Sequence, residues 1–205
     1  MLTALASGLL LGLSAGIAPG PMLTLVIAQT LRHGWREGAK IALAPLITDP
    51  PIILVAWLLA SRFAQWQTLL GIIGIAGGLF VLYLAWETLR PASRHPATSA
   101  TSPRSWLKGI ATNLLNPHPW LFWLTVGTAL LANALQQDGS AAATFLAGFY
   151  AFLVGSKVGL ALLVSRSRHF LSGRYYRGVM RVLAGLLVLF AVFLIRGGLK
   201  HLSLI

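Results

Sequence analysis

Residues 2–31 read LTALASGLLLGLSAGIAPGPMLTLVIAQTL, thirty residues without one ionisable side chain. About 20 mostly apolar residues are enough to cross the roughly 30 Å of hydrocarbon in a bilayer. Thirty of them in a straight helix, at about 1.5 Å each, would reach about 45 Å and overshoot it. Pro19 and Pro21 fall in the middle of the run. Each lacks a helical N–H and clashes with the carbonyl four residues back. The stretch therefore reads as a membrane helix broken near its centre. No Lys or Arg precedes it and it is too long for the apolar core of a leader, so it is expected to stay as a span.

Working outward, five more apolar runs follow: Ala39–Ala60, Leu69–Leu89, Ile110–Leu131, Ala142–Val164 and Val182–Leu199. The expected fold is an all-α membrane protein of six transmembrane helices in a single polytopic domain covering 1–205. Composition agrees, with 57% hydrophobic and 10% charged residues, where soluble domains carry about 25% charged. There is no cysteine, which excludes disulfides, thiolate metal sites and cysteine nucleophiles.

The formal charge of +12 is explained by topology. Alternate connections carry twelve Lys or Arg against three, with Lys157 set aside as intramembrane. Basic residues accumulate on the cytoplasmic side, so both termini are expected outside. The basic residues are spread over three short loops with no reading helix, and no nucleic-acid partner is expected. The Pro-, Ser-, Thr- and Arg-rich stretch 90–108 reads as a cytoplasmic linker. It separates repeat one, 1–89, from repeat two, 109–205. Three spans on each side make any repeat an inverted one. Pro19-Gly20-Pro21 in the first span is echoed by Pro117-His118-Pro119 in the fourth. Gly8, Gly12 and Gly16, Gly155 and Gly159, and the glycines at 71, 74, 77 and 78 read as close helix packing.

The prolines mark where chemistry belongs. Pro19 and Pro21 are expected to free the carbonyls of Ala15 and Ile17. Pro50 and Pro51 are expected to free those of Leu46 and Ile47, and Pro117 and Pro119 those of Asn113 and Leu115. Interrupted backbone at membrane depth is tolerated inside protein or beside a watery cavity. Asp49 is the one acidic residue well inside a run, and Lys157 the one deeply placed Lys. Intramembrane charges default to functional sites, although these two also suit a structural ion pair. Asp49 lies 9 residues from Lys40, Pro117 9 from Lys108, Lys157 9 from Arg166 and Pro21 11 from Arg32. Each is then about 13–16 Å below the cytoplasmic face, near the midplane.

One central site results. Asp49 and freed carbonyls suit an ammonium. Lys157 and the helix N-terminus after Pro21 suit a carboxylate. His118, between two prolines and beside Asn116 and Asn113, is either a hydrogen-bonding helper or a group that moves protons. Trp120 and Trp123 lie deep enough to pack or to wall the site.

These residues resemble the LysE/RhtB family of bacterial amino-acid exporters, in the lysine exporter superfamily, along nearly the whole chain. The strongest element is Gly16-Ile17-Ala18-Pro19-Gly20-Pro21, similar to the family's Gly-x-x-Pro-Gly-Pro. It is followed by the turn Gly34-Trp35-Arg36-Glu37-Gly38, an intramembrane Asp49, the Asn113 to Asn116-Pro117 segment and a basic-then-apolar final span, 177–198. Thr48 stands where the family usually has Gly, and Asn116-Pro117-His118-Pro119 where it has Asn-Pro-Lys-Ala. The resemblance implies efflux of amino acids or related small metabolites across the bacterial inner membrane, coupled to protons.

The expected function is therefore a secondary exporter, not an enzyme, with no cofactor and no metal centre. Its partners are a small-molecule substrate, protons and lipid, with a homo-oligomer left open. The substrate-binding and coupling set is Pro19, Gly20, Pro21, Asp49, Asn113, Asn116, Pro117, His118 and Lys157. A metal-cation exporter would need more oxygen ligands or thiolates than one Asp, one His and no Cys supply. An intramembrane lipid-modifying enzyme would need several carboxylates or a Ser/His/Asp set. A non-transporting scaffold is the remaining alternative.

Overall fold

The computed structural model describes residues 1–58, 63–90, 104–167 and 174–202. Among the described residues every regular element is a helix. These are α1 (Leu2–Ile17), α2 (Pro21–His33), α3 (Trp35–Ala42), α4 (Pro45–Leu58), α5 (Phe63–Leu89), α6 (Ser105–Leu114) and α7 (Pro117–Phe122). A π-helical turn (Trp123–Gly127) follows, then α8 (Thr128–Gln137), α9 (Gly139–Ser167) and α10 (Arg174–His201).

Among the described residues four helices are long and apolar enough to cross a membrane: Trp35–Leu58, which joins α3 to α4, Gln67–Leu89 in α5, α9, and Tyr175–His201 in α10. The pair α1–α2, bent by 63°, makes a fifth. The expected fourth run, Ile110–Leu131, is instead divided among α6, α7, the π turn and α8. The interruption falls at Leu115-Asn116, just before Pro117, where a helix has no N–H to continue its ladder. The described residues touch the expected linker 90–108 only at its ends. Ser105 already begins α6, and residues 91–103 lie outside the described residues.

Two helix pairs make the frame. α1 runs parallel to α9 with its glycines against the partner's backbone. A Cβ on Gly8 would strike the Phe145 carbonyl, one on Gly12 the Phe149 carbonyl and one on Gly16 the Ser156 hydroxyl. α5 runs antiparallel to α10, with Gly71, Gly74 and Gly78 against Gly198, Leu194 and Ala191. Gly77 meets the Leu115 carbonyl, so α5 supports the second break. The packing role expected of Gly155 and Gly159 is not seen among the described residues, where a Cβ on either would meet nothing. The face of α9 that docks on α1 carries Gly148 instead, against Leu5.

The prolines of α4 are a second departure. Pro50 and Pro51 sit inside a continuous helix. The chain turns earlier, at Leu43-Ala44, so that Pro45 opens α4. At the α2–α3 corner Gly34 has φ 95°, a left-handed conformation, and its N–H closes on the Thr30 carbonyl at 2.9 Å. Only glycine takes that corner without strain.

Candidate functional site

Each broken helix restarts on a proline, where the missing N–H is no loss. Pro21 opens α2 behind an extended Gly20, and Pro117 opens α7 behind Asn116. At the first break, Pro19 leaves the Ala15 carbonyl without a helical donor. Lys157 fills that vacancy: its Nζ donates to Ala15 O at 3.2 Å and to Leu153 O at 3.4 Å. At the second break, the His118 N–H is diverted to the Asn116 side chain at 3.1 Å. The Leu114 carbonyl that it would have met takes the Trp120 indole N–H instead, at 2.8 Å. Leu114, and not Asn113, is thus the carbonyl freed for a side chain. The Asn113 carbonyl accepts from the Asn116 N–H at 3.3 Å.

Asp49 is 3% exposed and anchored from two directions. Asn113 Nδ2 donates to Asp49 Oδ1 at 2.8 Å and to Thr48 Oγ1 at 2.6 Å. The Tyr150 hydroxyl donates to Asp49 Oδ2 at 3.3 Å. A buried carboxylate is costly unless its lone pairs are met, and these donors meet them. Lys157, also 3% exposed, feels the Asp49 charge, but among the described residues the two form no ion pair. Each has its own partners, which leaves the two charges apart.

Between them lies a cavity of about 490 Å³. Of the residues singled out from sequence, Pro19, Gly20, Pro21, Asp49, Asn113, Asn116, His118 and Lys157 line it. Pro117 does not; it starts α7 behind that wall. Sequence reasoning noted Thr48 as a departure from the family pattern, passed over Tyr150 and left Trp123 undecided. It also missed the aromatic wall of Phe122, Phe149, Phe190 and Phe193. One signal was present for part of that wall. Phe149, Leu153 and Lys157 repeat every four residues, the spacing of one helix face.

Away from the cavity, four elements meet in a second polar cluster. Lys108 on α6 pairs with Glu87 on α5 at 2.5 Å. Arg32, at the end of α2, donates to the Glu87 carbonyl at 2.6 Å and to the Arg90 carbonyl at 3.2 Å. Lys40 pairs with Glu37 within α3 at 2.5 Å. Nearby, three buried polar atoms have no partner among the described residues: Gln29 Oε1 and Thr30 Oγ1 on α2, and Thr112 Oγ1 on α6.

The sequence profile of the LysE type translocators matches residues 13–198. An uncharacterised membrane protein of Escherichia coli, YahN, is 28% identical over 120 residues, 55% of this chain and 54% of its own length. The threonine efflux protein of Escherichia coli is 27% identical over 122 residues, 54% of this chain and 58% of its own. The matched stretch thus spans little more than half the length of these relatives. No solved structure matches. The match to the profile covers both breaks, the acidic residue and the buried lysine. The family is one of transporters rather than enzymes, and its members are multi-pass proteins of the inner membrane. The chain belongs to the LysE family of translocators.

Proposed function

We propose that this protein exports amino acids or related small metabolites across the bacterial inner membrane in exchange for protons. The observation that carries the reading is the pairing of one carboxylate with one ammonium on a single cavity, each held by its own partners. A zwitterion fits between them. Its ammonium meets Asp49, and its carboxylate meets Lys157 and the first-turn N–H groups of α2, where Pro21, Met22 and Leu23 line the cavity. Asp49 is the one acidic residue of the four on the cavity wall, which makes it the proton carrier. Protonated, it releases an ammonium; ionised, it binds one. A metal-cation substrate is disfavoured by a wall offering one carboxylate and one imidazole.

The six-span, inverted-repeat arrangement with both termini outside belongs to this proposal. α6 to α8 form the fourth span, broken as α1–α2 is broken. Exchanging the halves carries the α5/α10 pair onto itself. It also carries α1/α9 onto the packing of α4 against α6, α7 and the π turn. In that orientation the cavity occupies the midplane and the outer half. The cytoplasmic half is closed by apolar packing of Leu25, Val26, Ile41 and Leu84 and by the Lys108–Glu87 and Arg32 latch. Gln29, Thr30 and Thr112, buried without partners, then line the inward half of the path when it opens.

In proteoliposomes loaded with amino acids, exchange of internal for external label is expected, and an imposed pH gradient should accelerate efflux. Failure of a full amino-acid panel to exchange would end the proposal. The latch makes a separate prediction. The chain has no cysteine, so a single Cys at position 29 reports access without background labelling. Lys108→Met should raise its labelling from the cytoplasmic side severalfold. Unchanged labelling would mean that the ion pair does not hold that side shut.

A further inference from the structure

We propose that the substrate side chain is apolar, that of an aromatic or branched aliphatic amino acid; this rests on the reading of the cavity as an amino-acid site. The wall is segregated by polarity. Its polar groups, Asp49, Asn113, Asn116, His118 and Lys157, gather at the two helix breaks, with the Ser14 hydroxyl beside Ala15 on α1. From there the lining turns apolar. On α9, Lys157, Leu153 and Phe149 stand one above another; Phe149 is about 12 Å along the helix from the Lys157 backbone and one turn beyond Leu153, whose carbonyl the ammonium reaches. Leu11 lies on the same end of α1, one turn beyond Ala15. From the other side α10 contributes Phe190 and, one turn on, Phe193 and Leu194.

The aromatic part of this wall is preassembled. Phe122 stacks on Phe149 with centroids 5.2 Å apart and planes 8° apart. Trp123 meets Phe149 edge-on at 5.4 Å and 71°. These rings are held by one another, which limits the ordering that binding must impose on them.

Charge balance points the same way. A zwitterionic backbone uses Asp49 and Lys157. A lysine or arginine side chain would then need a second carboxylate, and an acidic one a second ammonium. The other three acidic residues are placed elsewhere. Glu37 pairs with Lys40, Glu87 with Lys108, and Asp138 accepts from the Ser140 hydroxyl at the start of α9. A hydroxyl would be carried to the apolar end with few partners, and buried polar groups without partners are unfavourable.

The test is counterflow in proteoliposomes of the full chain with leucine, phenylalanine, valine, threonine and lysine. Valine and threonine are near-isosteres, so they report polarity apart from size. Valine is expected to exchange about tenfold to a hundredfold more efficiently than threonine, with leucine and phenylalanine at least equal to valine and lysine lowest. Threonine or lysine exchanging as well as valine would overturn this proposal while leaving the transporter intact. Exchange of none of the five, with other amino acids active, would also overturn it, whereas silence of every amino acid would strike the underlying reading. A second arm uses Phe190→Ser, which is expected to shrink the preference for phenylalanine over threonine severalfold. The wild-type profile decides the matter even if that variant does not fold.

Discussion

Asp49→Asn is expected to abolish amino-acid exchange while leaving the protein folded. The amide keeps the shape of the carboxylate. Its oxygen still accepts from Asn113, as at 2.8 Å in the native protein, and its NH₂ donates to the Tyr150 hydroxyl oxygen, which changes there from donor to acceptor. What disappears is the negative charge facing the substrate ammonium. Removing one member of a buried, hydrogen-bonded charge pair costs about 2–5 kcal/mol, or roughly thirtyfold to several thousandfold in affinity. The same change removes the group that carries the proton, so residual exchange should no longer respond to an imposed pH gradient. Proteoliposome counterflow and gradient-driven efflux measure both effects. A variant that still exports in proportion to the gradient would show that protons travel elsewhere.

Gly12→Leu is expected to fail differently, through structure. A Cβ at Gly12 would fall on the Phe149 carbonyl, which is backbone and has no rotamer to yield. α1 and α9 must move apart, and overpacking of this kind costs about 1–3 kcal/mol, occasionally more. The shift also drags Phe149, whose ring holds Phe122 and Trp123 in place. Both a lower thermal midpoint in detergent and a loss of exchange should follow. Gly155→Leu is the control. A Cβ there meets nothing, so the midpoint should stay near wild type. Equal damage from the two substitutions would mean that α1 does not dock on α9 through Gly12.

Much of this arrangement was legible from the chain because membrane burial leaves few exceptions to explain. Charges and prolines in long apolar runs stand out. Counting residues to the basic anchors brought Pro21, Asp49, Pro117 and Lys157 to one level, and all but Pro117 line one cavity. Where the reading went astray, local rules met tertiary choices. Pro50 and Pro51 have the same composition signal as Pro19 and Pro21. Yet α4 runs through them, because the turn was already made at Leu43-Ala44 ahead of Pro45. Gly155 and Gly159 have the spacing of a packing face, yet among the described residues nothing lies where a Cβ on either would point. Tyr150 is only one residue from Phe149, and nothing in its neighbours shows that its hydroxyl reaches Asp49. The Lys108–Glu87 pair spans 21 residues across a linker, beyond any helical spacing rule.

The parallel docking of α1 on α9 has a consequence for biogenesis. Gly8 leaves the ribosome about 140 residues before Phe145. At about 5–20 residues per second, that is roughly 7–28 s during which a glycine-lined groove sits in the bilayer without the helix that fills it. Insertion of the first segment is therefore an early event and its closure one of the last. The nascent chain needs a temporary companion for that groove, whether lipid or the insertion machinery itself.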